Sequence, residues 1–191
     1  MTKLKIVIGI TGASGAIYAK DLLEKLEKCS EQLESCAVVF SDQARQVWMH
    51  ELENNDPVTL NFKQYSNDSF FAPFASGSGN YDVMIICPCS MGTIGRISSG
   101  IANDLIARSA DVMLKERRKL IIVPRETPYN SIHLKNMLEL SQAGAIICPA
   151  SPSFYNNPKD IGSLVETVTE RILKLAGLKI ESFEWMNEGV G

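Results

Sequence analysis

Short, unbroken apolar runs recur at regular intervals along this chain, and each is followed by an amphipathic stretch. Residues 5–10, 36–40, 83–87, 120–123 and 145–148 are dense in Ile, Val, Leu and Cys, with no polar alternation. Continuous hydrophobicity over so few residues suits a strand whose two faces are both covered, as in a parallel sheet. Between the runs, apolar residues fall at helical spacing. Ile17, Leu22, Leu23 and Leu26 form one such series, and Ala44, Val47, Trp48 and Leu52 a second. Ile101, Leu105, Val112 and Met113 form a third, and residues 132–141 and 164–175 complete the set. Strand–helix alternation from end to end predicts an α/β fold, a Rossmann-like (flavodoxin-like) doubly wound parallel sheet in a single domain spanning 1–191. Two stretches fit less well. Residues 54–80, with Pro57 and Pro73 among many Asn, Ser and Gly, read as a long excursion with a short strand near 58–62. The tail from about residue 178 is weakly patterned.

Bulk properties narrow the function classes. A formal net charge of −3 leaves no basic footprint for nucleic acid or an anionic membrane. No apolar run is long enough to span a bilayer, and the N-terminus leads straight into a strand without signal-peptide architecture. The five cysteines are odd in number and mostly lie in or beside apolar runs. They suit reduced, buried thiols in the cytoplasm better than a disulfide framework. Cys87-Pro88-Cys89 is not the C-x-x-C of redox or zinc sites, and with two histidines in the chain no metal site is expected. His50 and His133 read as structural.

The chemistry is expected at the strand exits. The first run enters Gly9-Ile10-Thr11-Gly12-Ala13-Ser14-Gly15, small residues that let backbone N–H groups approach an anion at the start of a helix. The spacing is neither the dinucleotide G-x-G-x-x-G nor a P-loop, and the second strand ends at Ser41, with Asp42 one position late for a ribose-binding carboxylate. A mononucleotide fits this better than NAD. The third buried run ends in Cys87-Pro88-Cys89-Ser90-Met91-Gly92-Thr93, whose hydroxyls either hold a ligand or simply cap a helix. Asp104, Arg108, Asp111 and Lys115 share one helical face, which is either a solvated ion-pair ladder or part of a binding surface. In Pro124-Arg125-Glu126-Thr127-Pro128, Arg125 offers a planar fork for phosphate. Glu126 offers a carboxylate that burial at the sheet edge can tune for proton transfer. Tyr155 and Arg171 are further phosphate-binding candidates, equally explicable as packing. These residues alone reach a mononucleotide-binding domain with a cationic, acid-equipped pocket, and no reaction type.

Taken together, ADVMLKERR at 110–118, PRETP at 124–128, HLKNM at 133–137, Phe154-Tyr155, and the turns at 12–15 and 87–93 resemble the UbiX-type flavin prenyltransferases, relatives of the FMN-containing cysteine decarboxylases. The resemblance runs from about residue 5 to 178. It implies that Gly12, Ala13, Ser14, Ser41, Ser90, Met91, Gly92, Thr93 and Arg125 hold FMN, used in its reduced form. It further implies that Arg108, Lys115, Tyr155 and Arg171 hold the phosphate of dimethylallyl phosphate, some of them reaching in from neighbouring subunits. Glu126, Glu51, Ser14 and Lys115 are implied to serve the chemistry, in which the dimethylallyl group joins N5 and then C6 of the flavin. The product would pass to a UbiD-type decarboxylase, and the enzyme would be a homo-oligomer, a dodecamer by resemblance. Phe70-Phe71 stands where family members often carry a Trp, so an aromatic wall is retained. The exposed-looking Phe70, Phe71 and Phe74 add a motive for association. The rival readings are an FMN-dependent aromatic-acid decarboxylase of the 3-polyprenyl-4-hydroxybenzoate type and a non-enzymatic FMN carrier. A second anion site beside the flavin distinguishes the first reading from both.

Overall fold

The computed structural model describes residues 2–53 and 61–180. Six strands form one sheet: β1 (Leu4–Ile10), β2 (Leu33–Phe40), β3 (Lys63–Ser66), β4 (Val83–Cys89), β5 (Lys119–Pro124) and β6 (Ile146–Ile147). All neighbours pair parallel, in the order β3-β2-β1-β4-β5-β6. The chain therefore builds outward from β1 to β3, returns to the other side of β1, and builds outward again. The reversal between β1 and β4 opens a crevice at their carboxyl ends, because the loops that leave them turn to opposite faces.

Among the described residues, six α-helices cover the sheet: α1 (Ala16–Lys28), α2 (Asp42–Glu51), α3 (Met91–Ser98), α4 (Leu105–Lys115), α5 (Ser131–Gln142) and α6 (Ile161–Ala176). Side chains from α1, α2 and α6 join Ile6, Ile8 and Ile10 in one core layer. Those of α3 and α4, with Leu140 of α5, join Val7, Met84 and Ile86 in the other. The apolar stripe of α1 explains its position, since Leu22, Leu23 and Leu26 are fully buried and each such burial is worth about 1.5–3 kcal/mol. The helix α6 is held at both ends by local chemistry. A reciprocal Asp160–Ser163 capping box starts it, and Gly177 in the left-handed region ends it.

Several sequence expectations shift. The third helical series starts at Leu105 rather than Ile101, because the Asp104 side chain accepts from the Ala107 N–H at 2.8 Å and fixes the N-cap there. The charged face of α4 is not a continuous ladder. Asp104 pairs with Arg96, Arg108 with Asp111, and Lys115 with Glu116. An edge strand is present at Lys63–Ser66, while residues 58–60 of the strand expected near 58–62 lie outside the described residues. Of the aromatics in the excursion, Phe70 and Phe71 are exposed. Phe74 is buried, packed edge-on between Tyr65 and Tyr81 at 5.0 and 5.2 Å. The start of the weakly patterned tail is also anchored. Leu178 is buried, and Lys179 exchanges two 2.9 Å hydrogen bonds with the Gln32 side chain. The helix α5 buries only Leu140, leaving Ile132, Leu134 and Leu138 exposed.

Candidate active site

The exits of β1 and β4 are tied together by one buried side chain, Thr11. Its hydroxyl donates to the Pro88 carbonyl at 2.9 Å and accepts from the Ser90 N–H at 2.8 Å. This bridge holds the small-residue turn after β1 against the turn after β4. Ser90 and Ser41 are both N-caps, accepting from the N–H groups of Thr93 (3.3 Å) and Ala44 (3.1 Å). Capping and ligand binding need not compete, because a hydroxyl that accepts a hydrogen bond still has a proton to donate. Gly12 is required by proximity: a Cβ there would lie 2.5 Å from the Cβ of Gln43 in the first turn of α2.

A cleft of about 380 Å³ opens at this junction. Thr11, Gly12, Ser41, Ser90 and Thr93 come to it from the strand exits and helix starts. Gln43, Asn67, Arg96, Asn103 and Asp104 complete the lining. No apolar side chain contributes, which suits a sugar-like chain and a phosphate rather than a flat aromatic ring. Asn67 also organises the cleft, since its carbonyl and side-chain oxygens accept from the first N–H groups of α4, Leu105 at 2.7 Å and Ile106 at 3.1 Å.

Beside it, the Gly-rich turn receives a carboxylate from within the chain. Glu51, the last residue of α2, accepts from the N–H of Gly15 (2.9 Å) and of Ala16 (2.7 Å), and the Ser14 hydroxyl bonds the same group. Gly15 allows this with a left-handed φ of 108°. The anion site expected at the start of α1 is thus filled by Glu51. Burial pushes the Glu51 pKa up, but bonds from Ser14, Ala16 and Gly15 and the nearby Arg125 charge outweigh it, leaving the carboxyl below its usual range. Tyr18 stands in the same corner. Burial and the Cys87 sulfur push its phenol up, while Arg125 pulls it down.

Arg125 joins this corner to a second cleft of about 460 Å³, lined by Pro124, Arg125, Glu126, Tyr129, Ala150 and Pro152 among others. Its backbone N–H donates to the Cys89 carbonyl at 3.3 Å, which places it directly beside the Ser90 turn. Glu126 is exposed, contrary to the expectation of a desolvated carboxylate, and accepts from the Thr127 N–H at 2.9 Å.

The remaining candidates are dispersed in the single chain. Arg108 donates to the Ala75 carbonyl at 3.1 Å and pairs with Asp111, so it braces the turn Pro73–Ala75. Lys115 ends α4 and pairs with Glu116. Eleven residues of helix, about 16 Å, separate this end from the cleft where α4 begins. Tyr155 is 70 % exposed on the segment between β6 and α6. Arg171 is exposed on α6, close enough for its charge to lower the Cys148 pKa against the upward push of burial. Among the described residues, no group of three or more His, Cys, Asp or Glu is arranged to hold a metal ion. No helix there is long and apolar enough to cross a membrane.

A family model described as Flavoprotein matches residues 1–173. The flavin prenyltransferase UbiX of Methanocaldococcus jannaschii is 45% identical over 183 residues, 95% of this chain and 97% of that protein. The chain belongs to the UbiX flavin prenyltransferase family. Two solved structures of the family agree with the fold just described. AnUbiX (PadA1), solved in complex with FMN and dimethylallyl pyrophosphate, superposes with a TM-score of 0.86 at 38% identity, over 95% of this chain and all of that one. A dodecameric FMN-dependent Ubix-like decarboxylase from Escherichia coli O157:H7 gives 0.86 at 36% identity, over 96% of this chain and all of that one. The parallel sheet expected from the sequence is thus the family's fold. Gln43, Asn67, Arg96 and Asn103 escaped the sequence reading as site residues, while Thr11 was read only within the small-residue turn and Asp104 only on the charged helical face. For Arg96 a signal existed, since it lies one helical turn beyond Gly92 in the turn after β4.

Proposed function

We propose that this chain is a flavin prenyltransferase that transfers the dimethylallyl group of dimethylallyl phosphate to N5 and C6 of reduced FMN. The observation that carries the reading is Arg125. Its backbone abuts the polar Ser90 turn, its charge acts on Glu51 beside the Gly-rich loop, and its side chain lines a second cleft with Glu126. One cation between two clefts suits a reaction with two phosphate-bearing reactants. A flavin carrier, or a decarboxylase acting with FMN alone, has no use for the second site.

The polar cleft with its hydroxyls fits the ribityl phosphate of FMN, and the orphaned Nε–H of Arg96 there awaits an acceptor. Gly12, Ala13, Ser14, Ser41, Ser90, Met91, Gly92, Thr93 and Arg125 would hold the molecule. Reduced FMN supplies the nucleophilic nitrogen and the ring carbon that capture the dimethylallyl unit. The bond between the allylic carbon and the phosphate oxygen breaks with its electron pair staying on phosphate, so developing negative charge must be met there. Lys115, Tyr155, Arg171 and Arg108 are assigned to that charge. In its own subunit Lys115 lies at the far end of a helix that begins at the polar cleft, which suits a role at the site of a neighbouring copy. The enzyme is accordingly a homo-oligomer, a dodecamer like its relative. Exposed Phe70, Phe71, Leu134 and Leu138 provide apolar surface for association. Glu51, held as a carboxylate, orients Ser14. Glu126, in contact with solvent, exchanges the protons that N5 and C6 give up. A UbiD-type decarboxylase receives the product. Buried thiols with raised pKa values suit a cytoplasmic location.

The test is anaerobic. Protein, reduced FMN and dimethylallyl phosphate should yield a flavin heavier by one five-carbon unit in mass spectrometry. Glu126→Gln should keep FMN binding and lower the yield rate about 100-fold. Wild-type protein that binds FMN, makes no adduct and releases CO₂ from an aromatic acid unaided would replace this reading with the decarboxylase one.

A further inference from the structure

We propose that Arg96 is a positioning residue that seats the phosphate of FMN in the polar cleft, an assignment that rests on the flavin reading above. Arg96 lies on α3, one turn beyond Gly92, and its guanidinium lines the cleft together with the side chain of Thr93. Nη2 is held by the Thr93 hydroxyl at 3.3 Å and the Asp104 carboxylate at 3.1 Å. Nε is buried and has no partner, the one such side-chain polar atom among the described residues. The side chain is 36% exposed, so the guanidinium is within reach of a ligand while its Nε–H has no protein acceptor, and a group that brings oxygens to this point is favoured.

The surroundings specify which oxygen. The cleft lining has no apolar side chain against which a ring would pack. The starts of α2 and α3 open into it through Ser41 and Ser90, and α3 carries no acidic residue in its first turn. The start of α1 is already neutralised by Glu51. Asp104 opposes an anion, but one of its oxygens is committed to the Ala107 N–H and the other to Arg96. Its effect is to fix the guanidinium plane before the ligand arrives. Arg suits the task because Nη2 stays anchored to Thr93 and Asp104 while the rest of the planar guanidinium remains for the ligand, an arrangement that Lys cannot reproduce.

The test compares FMN with riboflavin, which lacks the phosphate, by quenching of flavin fluorescence on titration with full-length protein. Arg96→Ala should weaken FMN binding by about 10–100-fold, the scale of a lost charge-assisted contact, and leave riboflavin affinity within about twofold. Arg96→Lys, which keeps the charge and serves where the alanine variant folds poorly, should fall between. Equal losses for both flavins would overturn the assignment, because the contact would then be to the ring or be merely structural. Unchanged FMN affinity in both variants would overturn it as well. Failure of the wild type to bind FMN at all is a separate outcome that removes the flavin reading itself.

Discussion

Glu51→Gln changes one atom and tests how the chain stabilises its own Gly-rich turn. The carboxylate takes two N–H bonds from Gly15 and Ala16 and one from the Ser14 hydroxyl. Hydrogen bonds to a charged group are worth about 1.5–3 kcal/mol and neutral ones about 0.5–1.5 kcal/mol, so neutralisation costs about 1 kcal/mol per bond. Three bonds give about 3 kcal/mol, which partial solvent exposure reduces to about 2 kcal/mol. For a chain of this length that is a fall in Tm of about 4–8 °C at neutral pH, read by circular dichroism at fixed protein concentration. The pH dependence carries the sharper test. A carboxyl whose folded pKa lies below its unfolded value contributes stability that is complete above the unfolded value. That contribution disappears as pH falls through the folded one. The Tm gap between wild type and variant should therefore be constant from neutral pH down to the usual glutamate range and close below it. A gap that persists undiminished in acid, or one under about 1 °C at neutral pH, would refute the capping account.

Two other substitutable features give separate checks. Thr11→Val keeps shape but removes the bridge between Pro88 and Ser90 in a buried place, which should cost about 2 kcal/mol and lower Tm by about 4–8 °C; an unchanged melt would show that the two turns hold without it. Burial pushes the Cys36 thiol up to about 12 and raises Cys87 and Cys89 further, so iodoacetamide at mildly alkaline pH should label native protein at Cys29 and Cys148 and reach the other three only after denaturation. Early labelling of Cys87, detected by peptide mass, would contradict the core described above.

The sheet was legible because its central strands leave a sequence little choice. Residues 5–10 and 83–87 are too apolar to face water on either side and too short for buried helices, and both lie within observed strands. At the edges the signal fades. The run 145–148 yields only Ile146–Ile147, which ladders to β5 alone, and β3 is mostly polar at Lys63–Ser66. The start of α3 was legible, since Ser90 reads as a possible N-cap, but its extent was not, because Gly92 and Gly95 interrupt its eight residues and Ser98 ends it. Arg96 stayed hidden because it becomes visible as a cleft residue only once that helix is carried a full turn past Ser90. Asn67 had no signal at all, since its role comes from a packing contact with α4.

The candidate site divides along a similar line. Residues that follow a strand directly, such as Gly12, Ser41, Ser90 and Arg125, are fixed at the carboxyl edge once the strands are known, because a parallel sheet delivers all its strand exits to one side. Residues carried on helices obey a different geometry. Each helix returns from that edge to the other, so the residue at its far end is displaced by the length of the helix. Lys115 is one such residue, and no lysine side chain spans the roughly 16 Å of α4 that separates it from its own cleft. A run of charges read from sequence therefore assigns Lys115 a face but no site. Glu126 is the complementary case, since it follows β5 closely and is fixed at the carboxyl edge, where in one subunit it lies open to solvent. In the homo-oligomer proposed above, a neighbouring copy would bring Lys115 and further covering surface to that edge, so assembly would complete the second cleft as well as enlarge the particle.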